Sequence, residues 1–161
     1  MTDLYLGEVK AVYKRIYKRK GVFIKSNINA EKYIRKIFPD GIMEYREIAG
    51  AVFLNSSNNV IGHSFLGLGG ISTCLVDTRI LFQKALLCNA VAFIFFHNHP
   101  SGNTKPSKAD IVLTEKLQFQ SNIMEIKMLD SLIITTSKCV SIGGFAQPAY
   151  TRIKPTHIYQ K

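Results

Sequence analysis

Residues 90–96 read AVAFIFF, an unbroken apolar run that stops at a histidine. Strand side chains alternate between two faces, so a short run with no polar alternation fits a strand covered on both sides, at the centre of a sheet. The run is far short of the roughly eighteen apolar residues that a membrane-spanning helix needs, and no other stretch reaches that length. A strand of this kind commits the chain to a layered architecture in which both faces of the sheet are packed. With 161 residues the chain suits one such domain and is too short for two.

The flanking pattern supplies the other elements. SNINAEKYIRKIF (26–38) predicts a helix with Asn29 as its N-cap and apolar positions 30, 33, 34, 37 and 38 on one face. Pro39-Asp40-Gly41 stops it. EIAGAVFLN (47–55) and VIGHSFLGL (60–68) read as two strands of a hairpin joined by SSNN (56–59), and Gly69-Gly70 breaks the pattern. DTRILFQKALLCNA (77–90) predicts a second helix with Asp77 as N-cap and apolar positions at 80, 81, 85 and 87. After the central strand, PSGNTKP is a loop and SKADIVLTEKLQFQ (107–120) a third helix. IKMLDSLIITT (126–136) and CVSI (139–142) are further strands. With a first strand over EVKAVYKRIYKR, the order is β-α-β-β-α-β-α-β-β, an α/β sandwich of mixed strand direction. Residues 143–161 read as an irregular or extended tail.

Charge is uneven along the chain. The formal net charge is +10, and residues 1–40 hold ten Lys or Arg against four acids. The densest part is YKRIYKRK (13–20), where Lys14, Arg15, Lys18, Arg19 and Lys20 alternate with Tyr13 and Tyr17. Such a stretch is either a solvated surface face or a contact for nucleic-acid phosphates and bases. Cys74, Cys88 and Cys139 are odd in number and widely separated, as expected of reduced thiols in a cytoplasmic protein. The N-terminus shows no basic segment followed by an apolar core, so no secretion signal is expected.

The window HNHPSGNTKPSKAD (97–110) carries the chemistry. His97 and His99 are two apart, so a strand sends both imidazoles to the same side. Asp110, in the first turn of the next helix, can turn its carboxylate back toward the strand end. Two imidazoles and a carboxylate suit zinc with one position left open, the arrangement of a catalytic site. Ser107-Lys108-Ala109-Asp110 is equally an S-x-x-D helix-capping pattern, so Ser107 and Asp110 have two readings. A zinc nucleoside deaminase is excluded, because it needs a C-x-x-C that the chain lacks.

The spacing H-x-H, seven residues, S, two residues, D resembles the JAMM metalloprotease motif of the Jab/MPN superfamily. HNHPSGNTKPSKAD with the following IVLTEKL resembles the RadC family in particular. GLGGISTCLVDTRILFQKALLCNAVAFIFF (67–96) resembles the segment leading into that motif. VYKRIYKRKGVFIKSNINAEKYIRKIF (12–38) resembles the opening of short RadC-like proteins without an N-terminal helix-hairpin-helix region. The resemblance implies a single Jab/MPN-like, cytidine-deaminase-like α/β domain over residues 1–142, a mixed β-sheet flanked by helices, with a basic N-terminal extension and a tail at 143–161. It implies zinc on His97, His99 and Asp110, and Ser107 as donor to an oxyanion. The family's strand-borne glutamate, which exchanges protons with water and the leaving nitrogen, falls on Glu47, with Glu44 as a neighbouring competitor.

The implied function is zinc-dependent hydrolysis of peptide or isopeptide amide bonds, in association with DNA repair or mobile elements. The alternative is a non-catalytic DNA- or partner-binding protein on the same fold, touching DNA through Lys14, Arg15, Lys18, Arg19 and Lys20. One departure stands out: where the family has LDH, this chain has Leu129-Asp130-Ser131. His63 and His157 match no motif position.

Overall fold

The apolar run becomes the middle of a sheet. The computed structural model describes residues 21–70 and 74–143. Its strands are β1 (Ile48–Leu54), β2 (Val60–Leu68), β3 (Ala92–Asn98), β4 (Lys127–Ile134) and β5 (Cys139–Ser141). Its helices are α1 (Asn27–Ile37), α2 (Thr78–Leu87) and α3 (Lys108–Met124). The sheet has five strands in the order β2-β1-β3-β4-β5. β3 is buried along its whole length. It runs antiparallel to β1 and parallel to β4. A parallel pair needs a crossover, and α3 provides it. The expected α/β sandwich with a mixed sheet and flanking helices is the fold observed.

Alternation along β3 builds one core on each face. Ala92, Ile94 and Phe96 pack with Ile24, Ala30, Ile34 and Phe38 from around α1. Phe93 and Phe95 pack with Leu81, Phe82 and Ala85 of α2 and Leu117 of α3. Burying each of the leucine, isoleucine and phenylalanine side chains is worth about 1.5–3 kcal/mol, so β3 is the element that joins the two layers.

Several local expectations need correction. Ser26, not Asn29, is the N-cap of α1. Asn29 lies inside the helix and accepts from Lys25 N and Ser26 Oγ, both at 3.3 Å. In α2 the Asp77 cap is as expected, accepting from Arg79 N at 2.9 Å. The buried stripe there is Thr78, Leu81, Phe82 and Ala85, and Ile80 and Leu87 are exposed. The helix is rotated relative to the expected face because Phe82 fills the space over Phe93, with ring centroids 5.8 Å apart. α3 continues to Met124, four residues past the expected end at 120. The three cysteines are free thiols. Among the described residues no helix is long and apolar enough to cross a membrane. The expected first strand over EVKAVYKRIYKR, the basic stretch at 13–20 with Lys14, Arg15, Lys18, Arg19 and Lys20, and the tail from 144 onward, His157 included, lie outside the described residues.

Candidate metal centre

β3 ends where its polar residues begin. His97 shares the parity of Phe93 and Phe95, so its ring emerges on the α2/α3 face, with its centroid 6.0 Å from that of Phe95. His99 follows just beyond the strand, and the two Nε2 atoms are 3.1 Å apart. Asp110 reaches them from the first turn of α3. Its Oδ1 is 3.1 Å from His97 Nε2 and its Oδ2 is 3.4 Å from His99 Nε2. His99 Nδ1 sits 2.7 Å from the carbonyl of Asn103, which makes Nδ1 the protonated nitrogen and leaves the Nε2 lone pair free. The three side chains thus aim ligand atoms at one point, all within 4.8 Å of one another. Two imidazole nitrogens and a carboxylate crowded together in this way fit a divalent cation such as zinc, with room for a further ligand. Burial pushes the Asp110 carboxyl up, but hydrogen bonds from His97 and Ser107 outweigh it and hold the group below its ordinary range.

Ser107 and Asp110 have both of the roles their spacing allows. Ser107 Oγ accepts from Asp110 N at 3.2 Å, and Asp110 Oδ2 accepts from Ser107 N at 2.7 Å, a reciprocal capping box. The hydroxyl accepts in the cap and keeps a proton of its own, which can be donated to the Asp110 carboxylate or to a bound substrate. The same cap aims the Asp110 carboxylate at the histidines.

Glu47 precedes β1 and lines a cleft of about 580 Å3 together with His97, His99, Ser107 and Asp110. Glu44, its competitor in the sequence, is exposed and is not among the lining residues. Burial raises the Glu47 carboxyl above its ordinary value, against the opposing pull of His99 and His97. That shift brings it closer to the range useful for a general base at neutral pH.

The residue missed by sequence reasoning is Asn98. It is fully buried on the α1 face. Its Oδ1 accepts from Ile48 N at 2.7 Å, and its Nδ2 donates to the carbonyls of Met43 and Arg46 at 2.8 and 2.9 Å. It therefore clamps the segment that carries Glu47 against the strand end that carries the histidines. The signal was present: a polar residue at a core-facing position of an otherwise apolar strand.

Ser131 lies abreast of Phe95 in β4, and its hydroxyl is 3.0 Å from Thr114 Oγ1 of α3. It is fully buried and is not among the residues lining the cleft. His63, on β2, pairs with the hydroxyl of Tyr33 at 3.0 Å and takes no part in the centre.

Comparison with known proteins gives a consistent picture. A family model described as a RadC-like JAB domain matches residues 24–147. The chain is 43% identical over 100 residues to a UPF0758 protein of Haemophilus influenzae strain 86-028NP, covering 62% of this chain and 45% of that one. It is 44% identical over 90 residues to a UPF0758 protein of Flavobacterium johnsoniae, covering 56% of this chain and 39% of the relative. A UPF0758 protein of Listeria monocytogenes serotype 4b is 34% identical over 112 residues, covering 70% of this chain and 50% of the relative. The match thus spans half or less of the length of these relatives.

Proposed function

Because this chain belongs to the RadC-like JAB domain family, we propose that it is a cytoplasmic zinc-dependent hydrolase of peptide or isopeptide amide bonds. One observation carries the reading: the convergence of His97, His99 and Asp110 in a cleft that also holds Glu47. A zinc ion held by those three side chains would supply Lewis acidity, polarising an amide carbonyl and making water a stronger acid.

The remaining steps belong to the chain's own groups. Glu47, with its raised carboxyl, takes the proton that water loses as its oxygen adds to the carbonyl carbon. The C–N bond then breaks, and Glu47 returns the proton to the departing nitrogen. The Ser107 hydroxyl donates to the oxyanion of the tetrahedral intermediate, an interaction typically worth about 2.7–4 kcal/mol of barrier. Phe95, Leu113, Val76 and Leu75 give the cleft apolar walls, which favour a peptide-like substrate over a highly charged one.

The test is elemental analysis beside an amide-hydrolysis assay. The expected wild-type content is about one zinc per chain, lost in His99→Ala and in Asp110→Ala. Glu47→Gln is expected to keep its metal and lose hydrolysis. A wild type that takes up no metal after incubation with zinc and a mild wash overturns the proposal and leaves Ser107 and Asp110 as a helix cap alone.

A further inference from the structure

A second groove lies on the opposite side of the sheet from the metal centre. It has a volume of about 270 Å3 and is lined by Val22, Phe23, Asn29, Lys32, Tyr33 and Lys36, with no acidic residue among them. Asn29, Lys32 and Lys36 recur at helical spacing along one face of α1, so both ammonium groups project to the same side, with helix positions about 6 Å apart along the axis. Glu31, the nearest acid in sequence, is tied to Arg35 at 2.8 Å and does not neutralise the lysines.

Phe23 forms the other wall. It is 44% exposed, and its backbone neighbours are anchored on both sides. Val60 N donates to Val22 O at 2.8 Å and Ile24 N to Asn58 O at 3.0 Å, fixing the segment to the β1–β2 turn. Lys25 Nζ lies over the ring, 5.4 Å from its centre, so a base that stacks on that face takes the place of the ammonium. An exposed aromatic ring on an anchored backbone segment, with Lys25 over it and Lys32 and Lys36 in the same groove, is a combination that single-stranded nucleic acid uses: cations for the backbone and a flat face for a base. An acidic peptide would use the lysines but reach the ring only where it carries an apolar or aromatic side chain, whereas every nucleotide carries a flat base. A duplex keeps its bases stacked and offers the ring nothing.

We propose that this groove binds single-stranded nucleic acid, with Lys32 and Lys36 on phosphates and a base stacked on Phe23. The site is independent of the hydrolase reading, since it shares no residue with the metal cleft.

The test is fluorescence anisotropy of the full chain with a labelled oligothymidylate of about 15 nucleotides, titrated at several salt concentrations. Lys32→Gln combined with Lys36→Gln should weaken binding and make the salt slope shallower by about 1.4, or 0.7 per lost phosphate contact. Phe23→Ala should weaken binding about tenfold without changing the slope. All three side chains are exposed, so metal content and melting temperature should stay at wild-type values. Absence of binding overturns the proposal. So does a Phe23→Ala variant that binds like the wild type while a duplex or polyglutamate competes equally well, since that describes an unspecific cationic surface. Binding abolished by neutralising Lys14, Arg15, Lys18, Arg19 and Lys20, yet untouched by the groove variants, also overturns it.

Discussion

Asn98 stands between the two histidines and faces the other way. Each of its bonds goes to backbone: the Ile48 N–H and the carbonyls of Met43 and Arg46. Asn98→Ala would leave the buried Ile48 N–H unsatisfied and remove the bonds to the two part-buried carbonyls, at a cost of about 3 kcal/mol. Urea unfolding should show that loss. Hydrolysis should fall further than metal content does, because Glu47 loses its anchor while His97, His99 and Asp110 keep theirs. Ser107 calls for a different comparison, because it caps α3 and is also proposed to donate to the oxyanion. Glycine caps a helix nearly as well as serine, within a few tenths of a kcal/mol, but has no hydroxyl. Ser107→Gly should therefore leave the unfolding midpoint almost unchanged and still cut the hydrolysis rate by a hundredfold or more. A rate loss no larger than the stability loss would make Ser107 a cap and nothing else.

Among the elements, β1 is the one with least room. At Gly50 an added Cβ would collide with the Phe96 ring and lie 2.9 Å from the carbonyl oxygen of Ser64 on β2. The ring is fully buried and the carbonyl is backbone, so neither can move cheaply. Gly50→Ala should cost about 1–3 kcal/mol, read by chemical denaturation, and a neutral result would mean that the β1–β3 packing is looser than the contact implies. The sequence made the strands legible because burial sets their pattern: the unbroken AVAFIFF fits a strand covered on both faces, and Asp77 ahead of an apolar helical repeat fits a cap. It was less informative where several residues could do one job. Asn29 and Ser26 are both good caps, and the choice depends on where the Ile24 backbone is held. The face of α2 depended on Phe82 finding Phe93, a long-range contact with no local signature. For the candidate metal ligands, spacing alone paired His97 with His99 and left Asp110 between a ligand and a helix cap, and the resemblance to the JAMM motif was needed to prefer the former. Choosing Glu47 over Glu44 rested on family spacing, and the cleft makes the distinction physically, because only Glu47 lines it.

At the scale of the whole molecule, the edge strand β5 is held by a carboxyl group. Asp130 is fully buried in β4. Its Oδ1 accepts from Ser131 N at 2.7 Å and from the hydroxyl of Ser141, on β5, at 2.6 Å. Burial pushes the carboxyl up, and the donors of Ser141, Ser131 and Gly143 offset only part of that rise. The native state therefore holds the Asp130 proton more tightly than the unfolded chain, in which aspartate titrates near about 3.9. Between those two values the folded form binds more protons, so stability falls as pH rises. The contribution is fully present below the unfolded value and is lost once pH passes the native one. Asp130→Asn keeps an Oδ1 that can accept from both Ser131 and Ser141, and it carries no charge. Urea unfolding of the metal-free chain across a pH series should show the variant gaining on the wild type as pH climbs from about 4, then a plateau. Working without metal keeps metal binding out of the comparison, so the difference between the two proteins reports Asp130. A difference that stays flat, or that grows in the wild type's favour, would mean that the two hydrogen bonds to Oδ1 outweigh burial and that β5 is anchored by a carboxylate.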